Sequence, residues 1–445
     1  MEDYRRIADG VAADIASGRR RPGDRLPTQR EFARLHGIAN STAARVYREL
    51  ARRGLTTGEV GRGTFVRAAP RPSRTATAEP ADDGVDLELN HPVVPEQSAL
   101  LAAGIVPLLR PGVLESASRP VGVAGTPAAR NTAAALLTRG GWRPEADRVL
   151  FAGNGRQAIA AAIAALVPAG GRLGVEELTY PVLRSVATRL GVEIVPLAVD
   201  EAGVVPEAVA AAHRTAPLRA VYVQPVVHNP LGLVMPERRR EELADVLGRL
   251  GVDVVEDAVW GFLRDDLPPL AALLPERTVL VDSLSKRLAP GLTVGYAVAP
   301  RALVPAVAEA LRSGGWGPAR FALEAATRWS ADDAVGRVVH AKRRDAAGRR
   351  EIAARRLHGF TVRGDPLSYF CWWELPSPWR ADAFVAAAAR HDIAVTPAAA
   401  FAADTGRAPR AVRLALASPP VDVLDRALTT LAALARSTPR DAPAG

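Results

Sequence analysis

Between Val85 and about Arg436, apolar runs of strand length alternate with amphipathic helical stretches, as a mostly parallel sheet covered by helices requires. Val149-Leu-Phe, Arg219-Ala-Val-Tyr-Val-Gln, Asp253-Val-Val-Glu-Asp257 and Thr278 to Val281 are the clearest predicted strands. The first of them runs into an apolar helix that opens at Gly155. The pattern before residue 68 is different. Ile7, Val11 and Ile15 share one face of a helix over Tyr4 to Ile15, and Thr28 is placed to cap a second helix that carries Phe32, Ala33 and Leu35 and ends at His36-Gly37. A third helix, capped by Asn40 or Ser41, turns Val46 and Leu50 inward, and Leu55 to Val66 reads as a glycine-rich hairpin. Helix, helix-turn-helix and two-stranded wing make a winged helix-turn-helix. Residues 68–84 have no apolar periodicity and three prolines, so they read as a linker. The expected organisation is a module at 1–67, the linker, an α/β domain at 85–436 and a tail at 437–445.

Composition bounds this picture. A chain of 445 residues with 48% hydrophobic content has room for two or more domains with sizeable cores. One cysteine, Cys371, excludes a disulfide framework and a cysteine-rich metal site, and no metal is expected. The first residues lack the apolar core of a signal peptide, and the longest apolar run, Ala158 to Val167, is too short to span a bilayer. The expectation is a cytoplasmic protein without a membrane partner. Net charge is +9, of which residues 1–67 carry +6, with 14 arginines against 8 acidic residues. A basic unit attached to a nearly balanced one points to a polyanion as its partner.

The chemistry gathers where the strands end. Asn229, Asp257 and Lys286 follow three successive predicted strands, giving an amide, a carboxylate and an amine. In open α/β sheets ligands sit outside the carboxyl ends of the strands. Pyridoxal phosphate requires this equipment: a carboxylate to keep the ring nitrogen protonated, an amide for the phenolate oxygen and a lysine for the aldehyde. The chain holds only two lysines. Lys342, in Ala341-Lys-Arg-Arg-Asp, reads as part of a solvated helix face, whereas Lys286 follows a buried strand where desolvation would free a nucleophilic amine.

Asn229-Pro230-x-Gly232, Asp257, Ser283-x-Ser285-Lys286 and Gly153-Asn-Gly155-Arg156-Gln157-Ala158 resemble, in this order and at these separations, the fold-type I pyridoxal phosphate enzymes of the aspartate aminotransferase superfamily. The resemblance implies that Gly155, Arg156, Gln157, Ser283 and Ser285 hold the phosphate at a helix N-terminus. It also implies that Tyr180 contacts the ring, and that Arg413, with Arg410 as its rival, binds a substrate or effector carboxylate. His228 reads as structural. Three positions depart from the pattern: Thr293 stands where a phosphate-binding arginine is usual, with Arg287 a candidate substitute. Trp260 or Val259 replaces a tyrosine near the phenolate, and Val121 replaces a tyrosine that reaches the phosphate.

The first module resembles the GntR regulators through Pro22-Gly-Asp-x-Leu-Pro-x-x-Arg30-Glu, Ser41-Thr42, Arg45, Tyr47 and Gly61-x-Gly63-Thr-x-Val66. In such a module Asn40, Ser41, Thr42 and Arg45 open the helix that enters the major groove of an operator in double-stranded DNA. Arg30 lies within reach of phosphate or a guanine edge, and Arg62 and Gly63 form the wing tip at the minor groove. The whole order resembles the MocR regulators, which implies a homodimer with exchanged DNA-binding modules. It further implies a small-molecule amino effector, or pyridoxal phosphate itself, sensed through an aldimine at Lys286. The alternative is an active aminotransferase carrying an accessory DNA-binding module.

Overall fold

The computed structural model describes residues 3–17, 19–20, 24–53, 55–59, 63–66, 84–404 and 408–438. Of the expected linker and tail, only Gly84, Ser437 and Thr438 lie among them, and Arg62 at the wing tip lies outside them. The N-terminal module has helices at Asp3–Ala16, Gln29–Leu35 and Asn40–Arg52, then strands β1 (Thr56–Glu59) and β2 (Gly63–Val66), paired antiparallel. Thr28 caps the second helix in a reciprocal box with Glu31, its backbone N–H donating to the Glu31 carboxylate at 2.8 Å. The third helix starts one residue earlier than the capping pattern predicts. Ala39 is its N-cap, without a side-chain cap, so Asn40 and Ser41 already stand in the first turn. Ala8, Val11, Phe32, Val46, Leu50 and Val66 close the core, while Leu35 is left 67% exposed. Tyr47 donates its hydroxyl to the Pro27 carbonyl at 2.5 Å and so fixes the turn before the second helix.

The large region holds two sheets where the alternation of elements predicts one. After β3 (Val85–Leu87) come β4 (Val149–Ala152), β5 (Arg172–Glu176) and β6 (Glu193–Leu197), then a short hairpin of β7 (Val199–Asp200) and β8 (Gly203–Val204). The strands β9 (Ala220–Val223), β10 (Asp253–Asp257), β11 (Thr278–Ser283) and β12 (Gly295–Val298) complete a seven-stranded sheet of order β4-β12-β11-β10-β9-β5-β6. Only β12 runs antiparallel to its neighbours there. The strands β9, β10 and β11 are buried along their whole length apart from Asp253, as strands covered on both faces must be.

The second sheet comprises β13 (Thr361–Arg363), β14 (Phe370–Glu374), β15 (Ile393–Pro397) and β16 (Ala411–Ala415), with β3 added parallel to β15 at one edge. A 23-residue helix, Ala334–Arg356, joins the two sheets. Its Val335, Val338, Val339 and Ala346 pack in a core with strands of the first sheet, and its Ile352 and Ala353 in the core of the second. Among the described residues no single helix is long and apolar enough to cross a membrane.

Candidate cofactor site and nucleic-acid interface

The carboxyl ends of β9, β10 and β11 open onto a cavity of about 1230 Å³. Asn229, Asp257, Ser283, Ser285, Lys286, Gly155, Arg156, Tyr180 and Arg413 all line it. Asp257 is the last residue of β10, and its carboxylate accepts from the Tyr222 hydroxyl at 2.6 Å and from Gln224 Nε2 at 2.9 Å. Gln224 is the keystone of this corner, because its Oε1 also accepts the backbone N–H of Asn229 at 3.0 Å. Val227, buried at φ 52°, makes the left-handed turn that brings Asn229 back over the sheet. Lys286 sits on a single helical turn, Leu284–Arg287, directly after β11. Its Nζ donates to the Asn90 carbonyl at 2.7 Å and lies 5.5 Å from the centre of the Trp260 ring.

The helix Gly155–Leu166 presents its first turn to the same cavity, with Asn154 Oδ1 capping the Gln157 N–H at 3.0 Å. The N–H groups ahead of Gln157 have no acceptor within the helix, which makes this end an anion cradle. Gly155 is required there: a Cβ on it would meet Ser283 Oγ at 2.9 Å. Arg413, alternating with apolar residues in β16, lies 8% exposed. It donates to Asn229 Oδ1 at 3.0 Å and also to the Glu88 carbonyl. Among the described residues its Nε finds no partner, and Phe401 stacks beneath the guanidinium at 4.9 Å.

Electrostatics favour a reactive amine. Burial, with Arg413 and Arg156 nearby, lowers Lys286 from the usual lysine range to about 7. Asp257 is pushed upward by burial, against the hydrogen bonds from Tyr222 and Gln224 that hold its charged form. A protonated ring nitrogen beside it would reverse that push by supplying the missing cation. These groups fit pyridoxal phosphate on three counts. A buried carboxylate already carries its supporting donors, an amine stands near neutrality, and a helix N-terminus lines the same cavity.

Not every predicted residue joins the cavity. Arg287 faces the other way, donating to Asp282 at 2.6 Å with Phe262 5.5 Å beneath it, so it does not replace the arginine missing at Thr293. Thr293 itself bonds the Ser285 hydroxyl at 2.7 Å. The Gln157 side chain packs over Gly153 and outside the cavity lining. Trp260 and Val259 both line the cavity, whereas Val121 packs into the core of the first sheet. Arg410 is exposed and outside the cavity lining, whereas Arg413 is part of it. His228 is buried with its Nε2 3.1 Å from Glu176, and it accepts the Leu231 N–H, a structural placement.

Lys342 is the clear correction. The charged sequence around it predicts a solvated face, yet its side chain is fully buried and its Nζ donates to the Lys286 carbonyl at 3.0 Å and the Leu288 carbonyl at 2.5 Å. The face of the helix is set by Val335, Val338, Val339 and Ala346, and Lys342 falls on that apolar side. The sequence does not single out Gln224, Tyr222, Asn90 or His91, the last of which also lines the cavity. Gln224 and Tyr222 are two apart at the end of β9, so they share a face with the site, and that spacing is the one signal that could have found them.

At the N-terminal module Arg30, Asn40, Ser41 and Arg45 are exposed and Thr42 is half-buried. Gly63 turns at φ 120° at the tip end of the wing, paired with Glu59, where a Cβ would also meet Arg25 Nε at 2.8 Å.

Known proteins agree with both halves. Residues 3–66 match the family of bacterial regulatory proteins, gntR family, and residues 115–431 match aminotransferase class I and II. A Bacillus subtilis protein described as an uncharacterized HTH-type transcriptional regulator, YdeF, is 30% identical over 94% of this chain and 90% of its own. The HTH-type pyridoxine biosynthesis transcriptional regulator PdxR of Corynebacterium glutamicum is 27% identical over 66% of this chain and 65% of its own. Among solved structures, the α-aminoadipate aminotransferase LysN of Thermus thermophilus, complexed with N-(5'-phosphopyridoxyl)-L-leucine, superposes with a TM-score of 0.71 at 21% identity, covering 79% of this chain and 92% of that one. An archaeal alanine:glyoxylate aminotransferase gives 0.72 at 19% identity, over 79% and 91%. These two likenesses establish the fold.

Proposed function

Because the chain belongs to the helix-turn-helix transcription regulators that join a GntR-type N-terminal region to an aminotransferase class I and II domain, we propose that it binds operator DNA through residues 3–66 and controls that binding from the Lys286 cavity. Pyridoxal phosphate, when bound, supplies an electrophilic aldehyde and a ring that withdraws electrons. The chain's own groups do the rest. Lys286, near neutrality at physiological pH, presents the free amine that holds the aldehyde carbon. Asp257 keeps a proton on the ring nitrogen, and the first turn of the helix Gly155–Leu166 with Ser283 and Ser285 receives the phosphate. Arg413 offers its fork to the carboxylate of an amino effector, next to Asn229.

The observation that carries this reading is the convergence of Asn229, Asp257, Lys286 and Arg413 on one cavity in a chain whose first module is a basic winged helix-turn-helix. The effector is an amino compound or pyridoxal phosphate itself, and the working form is a homodimer with exchanged modules. The chain's curated relatives carry regulator names, which favours this reading over an aminotransferase with an accessory module. Turnover is disfavoured further by Arg287 and Val121, which stand away from the cavity. A genome-wide binding map of the full chain with and without cofactor tests the proposal. Cofactor-dependent occupancy that disappears in Lys286→Ala is expected. A map indifferent to cofactor, together with steady-state keto-acid formation from a natural amino acid, would overturn it in favour of the enzyme.

A further inference from the structure

The second lysine is as unusual in place as the first. In a chain with 57 Lys and Arg residues, only two are lysine, and both stand at the same turn. An ammonium taken out of water is costly unless its protons are matched. Lys342 meets that cost with two carbonyls, those of Lys286 and Leu288, which belong to the C-terminal end of the turn Leu284–Arg287 and have no acceptor role within it. Gln97 Nε2 also reaches the Leu288 carbonyl, at 3.4 Å. A compact point charge with three donors suits such a site, where a planar guanidinium would not. On its other side the Lys342 carbonyl accepts the Tyr369 hydroxyl at 2.8 Å, and Tyr369 directly precedes β14 of the second sheet. Further along the same helix, Arg349 donates to the carbonyls of Leu416 and Pro419, both at 2.7 Å, just beyond β16. β16 carries Arg413.

We propose that Lys342 is a positioning residue, tying the Lys286 turn to the helix Ala334–Arg356 and passing the engagement or release of the Lys286 side chain to the second sheet. The relay rests on the reading that Lys286 holds pyridoxal phosphate. In the structure the Lys286 amine bonds the Asn90 carbonyl while its own carbonyl accepts from Lys342, and holding the side chain at the cofactor would restrain that turn. Displacing it by an amine would free the side chain and let the turn move against the same Lys342 Nζ. Because the Lys342 amine, among the described residues, bonds main-chain carbonyls of that turn, it follows the backbone and not the identity of the effector. It does not line the cavity, so it acts through Lys286 and not on the cofactor.

The test uses the full chain with pyridoxal phosphate, followed by hydroxylamine. Hydroxylamine nitrogen takes over the aldehyde carbon as an oxime, and its two protons pass to the departing Lys286 nitrogen, which is released as a free amine. Hydrogen exchange is read over residues 343–356, β14 and β16, with visible absorbance reporting loading. In wild type, exchange there slows several-fold on loading and recovers with hydroxylamine. In Lys342→Met the absorbance still develops, but exchange in these segments no longer follows it. Lys342→Gln, which retains an N–H donor, covers the case of a methionine variant that does not fold, and it responds only weakly. A full wild-type response in either folded variant overturns the relay. A wild type that loads cofactor without any exchange change in these segments does so too. A wild type that develops no lysine-dependent absorbance overturns the cofactor reading and the relay with it, so the two failures are told apart by the spectrum.

Discussion

The N-terminal module and the cofactor cavity place their working residues in opposite ways. In the module, Arg30, Asn40, Ser41 and Arg45 stand exposed on a small core of Phe32, Val46, Leu50 and their neighbours, and none of the four contributes to that core. In the cavity, Asp257, Asn229 and Arg413 are buried, and the fold must satisfy each of them through Tyr222, Gln224 and the Glu88 carbonyl. A surface that reads DNA can therefore be altered without disturbing the fold beneath it. A buried site cannot, because each of its charges is matched by neighbours that depend on it.

The sharpest test of that difference is loss of the amine. Lys286→Ala is expected to abolish the visible absorbance of lysine-bound cofactor completely. If the absorbance persists, the amine in use is Lys342, the one other lysine, and the site moves to the far side of the Lys286 turn. The next largest effect lies in the module's core. Phe32 is fully buried and meets Tyr47 edge-on at 5.2 Å, so Phe32→Ala should cost about 3–5 kcal/mol, enough to unfold a module of this size. Thermal melts should then show loss of the module's transition with the cofactor absorbance retained. A shared loss of both would mean that module and cavity fold as one unit.

Arg45→Ala and Arg30→Ala sit at the other end of the comparison. Each should change stability by less than about 0.5 kcal/mol, as exposed residues do. Where either arginine pairs bidentately with a base, its removal should cost on the order of 1–3 kcal/mol of operator affinity and leave binding to random DNA unchanged. Equal weakening on both DNAs, with the slope of log K against log salt falling by about 0.9, would assign that residue to a phosphate.

How much of this was legible in the sequence follows the same division. Exposed function is written locally: the capping box at Thr28 and Glu31 and the apolar spacing of the three helices fix where Arg30 and Arg45 point. The cavity was legible only where a strand end carries its residue directly, as with Asp257 and Lys286. Asn90 and the true direction of Arg287 depend on tertiary packing that local pattern does not encode, Lys286 and Asn90 being 196 residues apart. The second sheet was hidden for a related reason, because its edge strand β3 comes from the start of the large region and its other four strands from the end. Lys342 shows the limit of local charge as a guide. Its neighbours Arg343 and Arg344 suggest solvent, but 3.6-residue periodicity places it beneath them.

The last test concerns the two lysines together, and its sign is set by their desolvation. Both are lowered from the ordinary lysine value of 10.5 to about 7, Lys286 by burial and then Arg413, Lys342 by burial and then Lys286. In the unfolded chain each keeps its proton up to about pH 10.4. Between about pH 7 and pH 10 the unfolded state therefore binds protons that the folded state has released, and stability rises with pH. Below pH 7 both states are protonated and this contribution is flat at its minimum. The upper bound on the slope is about 1.4 kcal/mol per pH unit for each lysine. Other groups titrate in the same window, so the measurement is a difference: denaturant unfolding of cofactor-stripped wild type against Lys286→Met/Lys342→Met, at steps from about pH 7.5 to about pH 9.5. The wild type should gain on the double variant as pH rises, with each single variant losing about half of the gain. A difference that stays constant across the window would mean that both amines remain charged in the folded protein. Lys286 would then need its partner groups, and not its burial, to become a nucleophile.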